Sequence, residues 1–199
     1  MRKNILLDKC RGNQAVVNGW LSIPSSFSAE AMAHHGAKVT AIDLADASLA
    51  VAKLHQLESN LDIDYQKISA EELAQQQAEK FDVVTCFEML EHVPVPESIV
   101  SACVQLVKPG GLIFFSTINR NPKAYLFAVL GAEYLLKLLP RGTHDYAKFI
   151  RPSELAGWSR ATGLQLEEQI GMGYNPMTKK YFLQENLDVN YIANYRKPD

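Results

Sequence analysis

Two glutamates and a histidine follow a run of apolar residues within five positions of the chain. Glu88, Glu91 and His92 come after the segment FDVVTC, residues 81–86. Spacings of three and four place these side chains on one face if the backbone is helical. Two carboxylates and an imidazole suit a divalent metal with oxygen-rich coordination, or a general base beside an anionic substrate. A solvated helical turn that ends at His92, before Pro94, accounts for the same residues without any chemistry.

Two more candidates stand where predicted strands end. Asp43 ends the strand predicted at residues 38–42, and Phe87 follows the strand predicted at residues 81–86. In an open α/β sheet, ligands bind outside the carboxyl ends of the strands. Asp43 could there accept both hydroxyl protons of a ribose, or it could cap the helix that follows. Phe87 could lie against an adenine or a methionine chain, or it could be a core aromatic.

The elements that must position these residues alternate along the chain. The segments FDVVTC and LIFFST are nearly continuous in apolar character, as strands covered on both faces are. The residues from Ser69 resemble a capping box, and KPGG, residues 108–111, predicts the end of a helix. We predict strands at residues 15–21, 38–42, 63–66, 81–86 and 112–117, and helices at residues 28–35, 47–58, 96–107 and from Ser69. This alternation indicates an α/β fold with a doubly wound, mostly parallel sheet and helices on both faces.

The last third of the chain has a different pattern. Residues 125–139 form an apolar run that only three residues interrupt. A helix is predicted from Pro152. The strand-like segments at residues 164–170 and 180–183 predict an antiparallel hairpin at the edge of the sheet.

The composition limits the class of protein. The chain has 199 residues, 47% of them hydrophobic, and a net charge of −2. We expect one domain and no nucleic-acid partner. Three cysteines without CxxC spacing suggest a reducing compartment and no zinc site, and the charged N-terminus does not resemble a signal peptide, so a cytoplasmic protein is expected. The basic residues near the end are interpreted as a solvated surface: Lys179, Lys180, Arg196 and Lys197.

From about residue 29 onwards, the chain resembles a known family of enzymes. The segments that carry the resemblance are AMAHHGAKVTAIDL, FDVVTCFEMLEHVPVP, QLVKPGGLIFFSTINRN and GAEYLLKLLPRGTHD. Together they resemble the ubiquinone-biosynthesis O-methyltransferases, a branch of the class I S-adenosylmethionine-dependent methyltransferases. KPGG alone indicates only a class I methyltransferase, whereas EMLEHVP and STINRN are far more specific.

The resemblance implies a Rossmann-like sheet, S-adenosylmethionine as the methyl donor, and transfer to a phenolic oxygen of a polyprenylated catechol or hydroxyphenol. Asp43 would hold the donor's ribose, and Phe87 would contact the donor near its adenine and methionine ends. Glu88, Glu91 and His92 match the positions that would hold a divalent cation, Mg²⁺, and His92 is the candidate catalytic residue. A metal or a base would convert the poorly nucleophilic hydroxyl to a phenolate.

The resemblance also suggests a role for the apolar run at residues 125–139. Its 15 residues are too few to span a bilayer, which needs about 20. A helix with Glu133 and Lys137 on one side could lie in the membrane interface, where a polyprenyl substrate resides. A buried core helix is the alternative. The expected partners are the inner-membrane surface and a complex of ubiquinone-biosynthesis proteins.

The N-terminal part departs from the family pattern. The family carries a loop of the form VLDVGCGGG after its first strand, and here Ser22, Pro24 and Ser26 occupy the places of the alternating glycines. Glycine lets the backbone approach the donor, whereas Pro24 fixes φ and removes an N–H. We expect residues 1–28 to form an atypical segment, in which Ser22 and Ser26 contact the donor, before a methyltransferase-like domain at residues 29–199. An alternative function is a protein with impaired donor binding and a non-catalytic, interaction or membrane-associated role.

Residues 1–35 carry a second resemblance. The segment LLDKCRGNQAVVNGWLSIPSSFSAEAMAHHG is similar to the opening of the HpcH/HpaI-type aldolases, which are metal-dependent (β/α)8 barrels. The chain is shorter than such a barrel, for which about 250 residues are typical. We therefore hypothesise a chimera joined near residues 28–37. The strand at residues 15–21 is still expected in the centre of the sheet, because an empty position would leave buried backbone groups without partners.

Overall fold

The computed structural model describes residues 6, 10–19, 23–125, 146–175, 178 and 180–199. Among these residues, eight strands form one sheet, and five helices longer than a single turn pack on it. The strands are β1 (Gln14–Gly19), β2 (Lys38–Asp43), β3 (Ile63–Lys67), β4 (Phe81–Phe87), β5 (Val107–Ile118), β6 (Gln165–Asn175), β7 (Lys180–Gln184) and β8 (Asn190–Arg196). The helices are α1 (Ile23–His34), α2 (Asp46–Ser59), α3 (Ala70–Gln76), α4 (Pro96–Leu106) and α5 (Pro152–Ala161). Short helical turns lie at Leu90–His92, Pro122–Ala124 and Tyr146–Lys148.

The strand order in the sheet is β3-β2-β1-β4-β5-β8-β6-β7. β1 pairs in parallel with β2 on one side and with β4 on the other, so it fills the predicted central position. β8 lies antiparallel between β5 and β6, and β7 ends the sheet as the antiparallel partner of β6. The predicted α/β sheet with an antiparallel C-terminal edge is confirmed. The strand order reverses between β1 and β4, and this creates a topological switch point.

Alternate residues of the central strands pack against helices on opposite faces of the sheet. On one face, Ala15 and Val17 of β1 share a buried cluster with Met32 of α1 and Ala52 of α2. On the other face, Val16 of β1 lies in a buried cluster with residues of α3, α4 and α5. Both faces of the parallel strands are therefore covered, which explains the continuous apolar character of FDVVTC and LIFFST.

The loop predicted after β1 is largely a helix. α1 begins at Ile23, whereas the pattern predicts a helix from residue 28. Pro24 thus lies in the first turn, where an N–H has no intrahelical partner and a φ fixed near the helical value is favourable. The prediction of a loop at residues 22–26 and a helix from residue 28 is therefore wrong for residues 23–26, which are helical. Ser26 belongs to the helical backbone, and Ser22 lies outside the described residues.

The predicted cap at Ser69 is confirmed. Its Oγ accepts a hydrogen bond from the backbone N–H of Glu72 at 3.1 Å, and the Glu72 carboxylate accepts one from the backbone N–H of Ser69 at 3.3 Å. α4 ends before KPGG as predicted, but KPGG itself belongs to the start of β5. Glycine is required at Gly111, because a Cβ there would lie 2.6 Å from the Val107 side chain and 2.9 Å from the backbone oxygen of Asp82.

β8 has no counterpart among the predicted elements. Its sequence NYIANYR alternates, and Tyr191, Ala193 and Tyr195 are buried on one face. This alternation is a strand signal. The asparagines weaken it, because asparagine has a low intrinsic preference for strands.

Lys197, directly after β8, is not a solvated residue. Its Nζ donates to the backbone oxygens of Val104 and Val107, both at 3.0 Å, and to Oε1 of Glu79 at 2.9 Å. Its side chain is only 18% exposed. Carbonyl groups at a helix C-terminus lack intrahelical donors, and a cation is favourable there. The interpretation of the terminal basic residues as a solvated surface is therefore wrong for Lys197, which binds the end of α4.

We expect Lys197→Met to lower the free energy of unfolding by about 1–2 kcal/mol, because buried carbonyl groups lose their donor. Urea unfolding followed by circular dichroism measures this change. Lys67→Met is the matched control, since Lys67 forms an ion pair with Asp46 whose side chains are both more than half exposed; it should cost less than about 0.5 kcal/mol. Equal effects of the two substitutions would contradict a capping role for Lys197.

Candidate active site

The register of the parallel strands brings four strand ends to one edge of the sheet. Gly19 of β1 pairs with Phe87 of β4, and Phe87 pairs with Ser116 of β5. The register of β1 with β2 places Asp43 level with Gly19. These carboxyl ends form a continuous row at the switch point, where open α/β sheets bind ligands.

Asp43 and Phe87 stand on either side of the end of β1. Asp43 is buried, and its Oδ1 accepts a hydrogen bond from the backbone N–H of Ala45 at 2.7 Å. The N-cap of α2 is Ala45, so Asp43 orders the loop before the helix and is not the cap itself. Phe87 is half-buried and packs against the core on the α1 and α2 face. The roles of both residues toward the methyl donor stay predictions.

Glu88 is held by β5 through its backbone and its side chain. Its N–H donates to the backbone oxygen of Ser116 at 3.0 Å and to the Ser116 Oγ at 3.2 Å. The Ser116 hydroxyl donates to Oε1 of Glu88 at 2.7 Å, and Asn190 of β8 donates to Oε2 at 3.5 Å. The backbone of Glu88 is left-handed, with φ 48°, a conformation that costs a non-glycine residue about 1 kcal/mol. The bonds to Ser116 stabilise this conformation and fix the carboxylate at the end of β5.

Glu91 is the buried member of the carboxylate pair. It is 4% exposed, and its Oε2 accepts a hydrogen bond from the Thr117 hydroxyl at 2.8 Å. Burial, and then the negative charge of Glu88, raise the pKa of Glu91 to about 8, although a backbone hydrogen bond and the bond from Thr117 act in the opposite direction. Burial and the neighbouring charge therefore favour the protonated form of Glu91. The alternative of a solvated turn is wrong for this residue.

The backbone around the pair is not the α-helix on which the spacing argument depends. A single 3₁₀ turn covers Leu90–His92. His92 is half-buried, and its backbone N–H donates to the backbone oxygen of Met89 at 2.9 Å. Within the described part of the chain, no group of three or more His, Cys, Asp or Glu side chains could hold a metal ion. The structure thus brings Glu88 and Glu91 together but does not join His92 to them as a ligand set, and the metal roles stay predictions.

Three residues that hold the pair are absent from the sequence-based candidates: Ser116, Thr117 and Asn190. Successive residues of a strand point to opposite faces, so Ser116 binds Glu88 from one side and Thr117 binds Glu91 from the other. A signal for the first two exists, since the buried strand LIFFST ends in two hydroxyl side chains at the predicted ligand edge. Asn190 gives no such signal, because its strand is not among the predicted elements.

A cavity of about 270 Å³ lies at the opposite edge of the sheet, where the parallel strands begin. Its lining includes Asn13, Asp82, Lys108 and Arg196. Lys108 pairs with Asp82, and Arg196 pairs with Glu167, both at 2.7 Å. The charged side chains of this cavity are therefore neutralised within the protein, and it is separate from the carboxylate pair.

Some predicted site residues lie outside the described residues. These are Ser22, the side chain of Ser26, and the apolar run at residues 125–139 apart from Tyr125. The Tyr125 ring packs edge-on against Tyr146, with ring centroids 5.4 Å apart. None of the helices in the described segments is long and apolar enough to cross a membrane.

The fold matches those of solved methyltransferases. A SAM-dependent methyltransferase from Methanosarcina mazei superposes with a TM-score of 0.71 over 99% of this chain and 98% of its own, at 16% identity. An N-methyltransferase from Bradyrhizobium japonicum superposes with a TM-score of 0.64 over 98% of this chain and 94% of its own, at 14% identity. Both matches include nearly all of the N-terminal segment. They give no support to a chimeric junction near residues 28–37.

Sequence comparison identifies the family. The family model described as "Methyltransferase domain" matches residues 23–115. The ubiquinone biosynthesis O-methyltransferases of Pseudomonas entomophila (strain L48) and Pseudomonas syringae pv. tomato (strain DC3000) are 64% and 65% identical to this chain over 163 residues. Each match covers 82% of this chain and 70% of the relative. The chain therefore belongs to the ubiquinone biosynthesis O-methyltransferases, which are enzymes that use S-adenosylmethionine as the methyl donor.

Proposed function

We propose that this enzyme methylates a phenolic oxygen of a polyprenylated catechol or hydroxyphenol, and that Glu88 and Glu91 are the centre of the reaction. The observation that carries the proposal is the carboxylate pair at the switch point, directly after Phe87, with Glu91 buried and Glu88 half-buried. The names of the close relatives place their reaction in ubiquinone biosynthesis. The substrate class follows from that, because a ubiquinone precursor that accepts an O-methyl group carries a phenolic hydroxyl and a polyprenyl tail.

The alternative of a non-catalytic protein with impaired donor binding is not favoured. Identity of 64% to O-methyltransferases over most of the chain argues for the enzyme. The structural argument for impairment is also weaker than the sequence suggests, because Pro24 lies in the first turn of α1.

S-adenosylmethionine, when bound, supplies a methyl group on a positively charged sulfur. The residues at the switch point fit this donor. The Asp43 carboxylate, fixed by the N–H of Ala45, would accept the ribose hydroxyl protons. Phe87 would give the adenine or the methionine chain an apolar surface. Ser22 and Ser26 would contact the methionine part of the donor in place of the family's glycines.

The phenolic hydroxyl of the substrate must lose its proton as its oxygen accepts the methyl group. A phenol has a pKa of about 10 in water. Glu91 suits the role of the base, because its pKa of about 8 is closer to that of a phenol than the pKa of an exposed glutamate is. The Thr117 hydroxyl donates to Oε2 of Glu91 and so orients the carboxylate. His92, the next residue, is the second candidate for the base.

Glu88 and Glu91 would hold Mg²⁺ in this proposal, whereas His92, the third predicted ligand, is not brought together with them. Two carboxylates alone can hold Mg²⁺, because this hard cation takes one or two carboxylates and completes its coordination with water and substrate oxygens. Burial, and then the charge of Glu88, raise the pKa of Glu91, and a bound cation would offset the repulsion between the two carboxylates. The ion would lower the pKa of the phenol.

We also propose that the enzyme works in the cytoplasm, at the inner-membrane surface, because a polyprenyl substrate resides in the membrane. The run at residues 125–139, with Glu133 and Lys137 on one side, would lie in the interface. The same location would allow association with other proteins of ubiquinone biosynthesis.

Asp43→Asn should weaken the binding of S-adenosylhomocysteine about 10- to 100-fold, because the charged acceptor for the ribose is lost while the bond from Ala45 can persist. Isothermal titration calorimetry measures this affinity. Asp62→Asn is the matched control, since Asp62 is exposed and lies directly before β3, at the opposite edge of the sheet. Unchanged affinity in Asp43→Asn would refute its ribose role. Failure of the wild-type protein to bind at millimolar ligand would favour the impaired-donor alternative.

Glu91→Gln should lower kcat for a polyprenylated catechol about 10²- to 10⁴-fold without changing affinity for S-adenosylhomocysteine, because the amide cannot accept the proton. Mass spectrometry of the methylated product measures the rate. Thr117→Val keeps the Glu91 carboxylate but removes the hydroxyl that donates a hydrogen bond to it. Because that bond lowers the pKa of Glu91, the variant should retain activity and move the acid limb of the pH profile to higher pH. A larger loss in His92→Gln than in Glu91→Gln would assign the base to His92.

The metal-free protein should lose stability as the pH rises from about 5 to about 8. The raised pKa means that the folded state binds a proton on Glu91 more tightly than the unfolded state does. The protonated Glu91 therefore contributes its full share to the free energy of unfolding below the ordinary pKa of a glutamate, and this share is lost as the pH approaches 8. Glu91→Gln should remove about 2–4 kcal/mol of this decline. Urea unfolding at several pH values tests it, with the exposed Glu97→Gln as control. A pH dependence that Glu91→Gln leaves unchanged would contradict the burial of an ionisable carboxyl group.

A further inference from the structure

One face of the sheet carries a row of apolar side chains on β6, β7 and β8, which we call the apolar strip. Ile170, Met172 and Ile192, nearest the site, are half-buried, and Ile192 packs against the core on the α1 and α2 face; the exposed members lie toward β7. Paired residues of antiparallel strands share a face, and alternate residues of one strand do so as well. Tyr174 is 39% exposed, Leu183 57% and Tyr181 71%. The strip consists of three pairs in register: Ile192 with Ile170, Met172 with Leu183, and Tyr174 with Tyr181.

The apolar strip begins beside the carboxylate pair. Ile192 pairs with Ser116, whose hydroxyl binds Glu88. Asn190, which also donates to Glu88, pairs with Met172. β6 is antiparallel to β8, which is antiparallel to β5, so β6 runs parallel to β5 and ends at the same edge. The strip therefore leads from the site outward to the free edge of the sheet at β7.

The apolar character is confined to the half of this face that lies near the site. Farther from the site, the same face of β6 and β8 carries Glu168 paired with Asn194, and then Arg196. Arg196 forms an ion pair with Glu167. A face that had only to cover a core would be apolar along the whole length of its strands. The division points to a ligand that is apolar and that starts at the carboxylate pair.

The opposite face of the same hairpin has a different arrangement. The Phe182 ring lies over Gly173, where a Cβ would approach ring atoms to 2.5 Å. Phe182 therefore packs partly on its own sheet, with 47% of its surface exposed. On the strip face, the Tyr174 and Tyr181 rings lie side by side with centroids 5.0 Å apart, and both remain exposed.

We propose that the apolar strip binds the polyprenyl tail of the substrate. This inference rests on the proposed function, since the aromatic ring must lie at Glu88 and Glu91 for its tail to reach Ile192. From β5 across β8 and β6 to β7 there are three strand spacings of about 4.8 Å, or ~14 Å, which is about the length of three extended isoprene units. The free edge at β7 lets a longer tail continue beyond the protein.

A second copy of the chain is a weaker candidate for this surface. A stable protein interface takes about 20 to 30 residues from each partner, whereas the strip offers three pairs of side chains. A dimer contact also does not explain why the strip begins beside the carboxylate pair. A tail that is covalently joined to the reacting ring explains both the place and the narrow width of the strip.

The test uses water-soluble catechols with no tail and with one to four isoprene units, without vesicles or detergent, at saturating S-adenosylmethionine. For the wild-type enzyme, KM should fall about tenfold with each of the first three units and then level off. The double variant Tyr181→Asp with Leu183→Asp should raise KM for the three-unit substrate at least about tenfold. It should leave kcat, and KM for the tail-less catechol, unchanged. The control is Leu57→Asp on α2, where the leucine is 80% exposed.

The outcomes separate this inference from the proposed function. Methylation of the tail-less catechol by the wild-type enzyme and by both variants supports the function whatever the tail does. Retention of the tail preference by the double variant would overturn the inference alone. The inference would also be overturned if sedimentation velocity showed a dimer for the wild-type enzyme and a monomer for the double variant while the tail preference stayed intact, since a second copy would then occupy the strip. Loss of methylation on every catechol in the wild-type enzyme would overturn both.

Discussion

The parallel pairing of β1 with β2 and β4 is the constraint on which the rest of the structure depends. Because β1 is paired on both sides, its register sets the level of the neighbouring strand ends. Asp43, Phe87 and Ser116 therefore reach one edge of the sheet, although they lie far apart in the sequence. An uneven register would separate the predicted donor contacts from the residues that bind the glutamates. The buried clusters on both faces hold this register by covering alternate side chains of β1.

The same edge determines the electrostatics of the carboxylate pair. Glu88 remains accessible at the end of β4 and is bonded to Ser116, whereas Glu91 turns inward to Thr117. Proximity of the two groups and burial of one favour a bound proton on Glu91. An enzyme that must take a proton from a weak acid benefits from a base of this kind, since the free carboxylate of an exposed glutamate has a low affinity for protons. The hydroxyl side chains of β5 are thus as much a part of the site as the glutamates.

The C-terminal strands connect this chemistry to an apolar surface. β8 supplies Asn190 to Glu88 and, two residues on, Ile192 to the apolar strip. A polar reacting end and an apolar tail are the two halves of the substrate class that we propose. The N-terminal segment contributes β1, whose backbone pairs with β2 and β4 and whose side chains pack in the buried clusters on both faces of the sheet.

The sequence by itself determined the class of fold, the central place of the first strand, the cap at Ser69 and the family, because these depend on local patterns of apolar, turn and capping residues. It also indicated Asp43, Phe87, Glu88, Glu91 and His92 as candidates. Only the tertiary structure decided that α1 begins at Ile23, that β8 completes the sheet, and that Glu91 is buried with a raised pKa. The physical reason is distance along the chain. Glu88 is bound by residues 28 and 102 positions away, and Glu91 by a residue 26 positions away. The two hydroxyl residues that end LIFFST are visible in the sequence, but the glutamate that each one binds is decided only once the strands have paired.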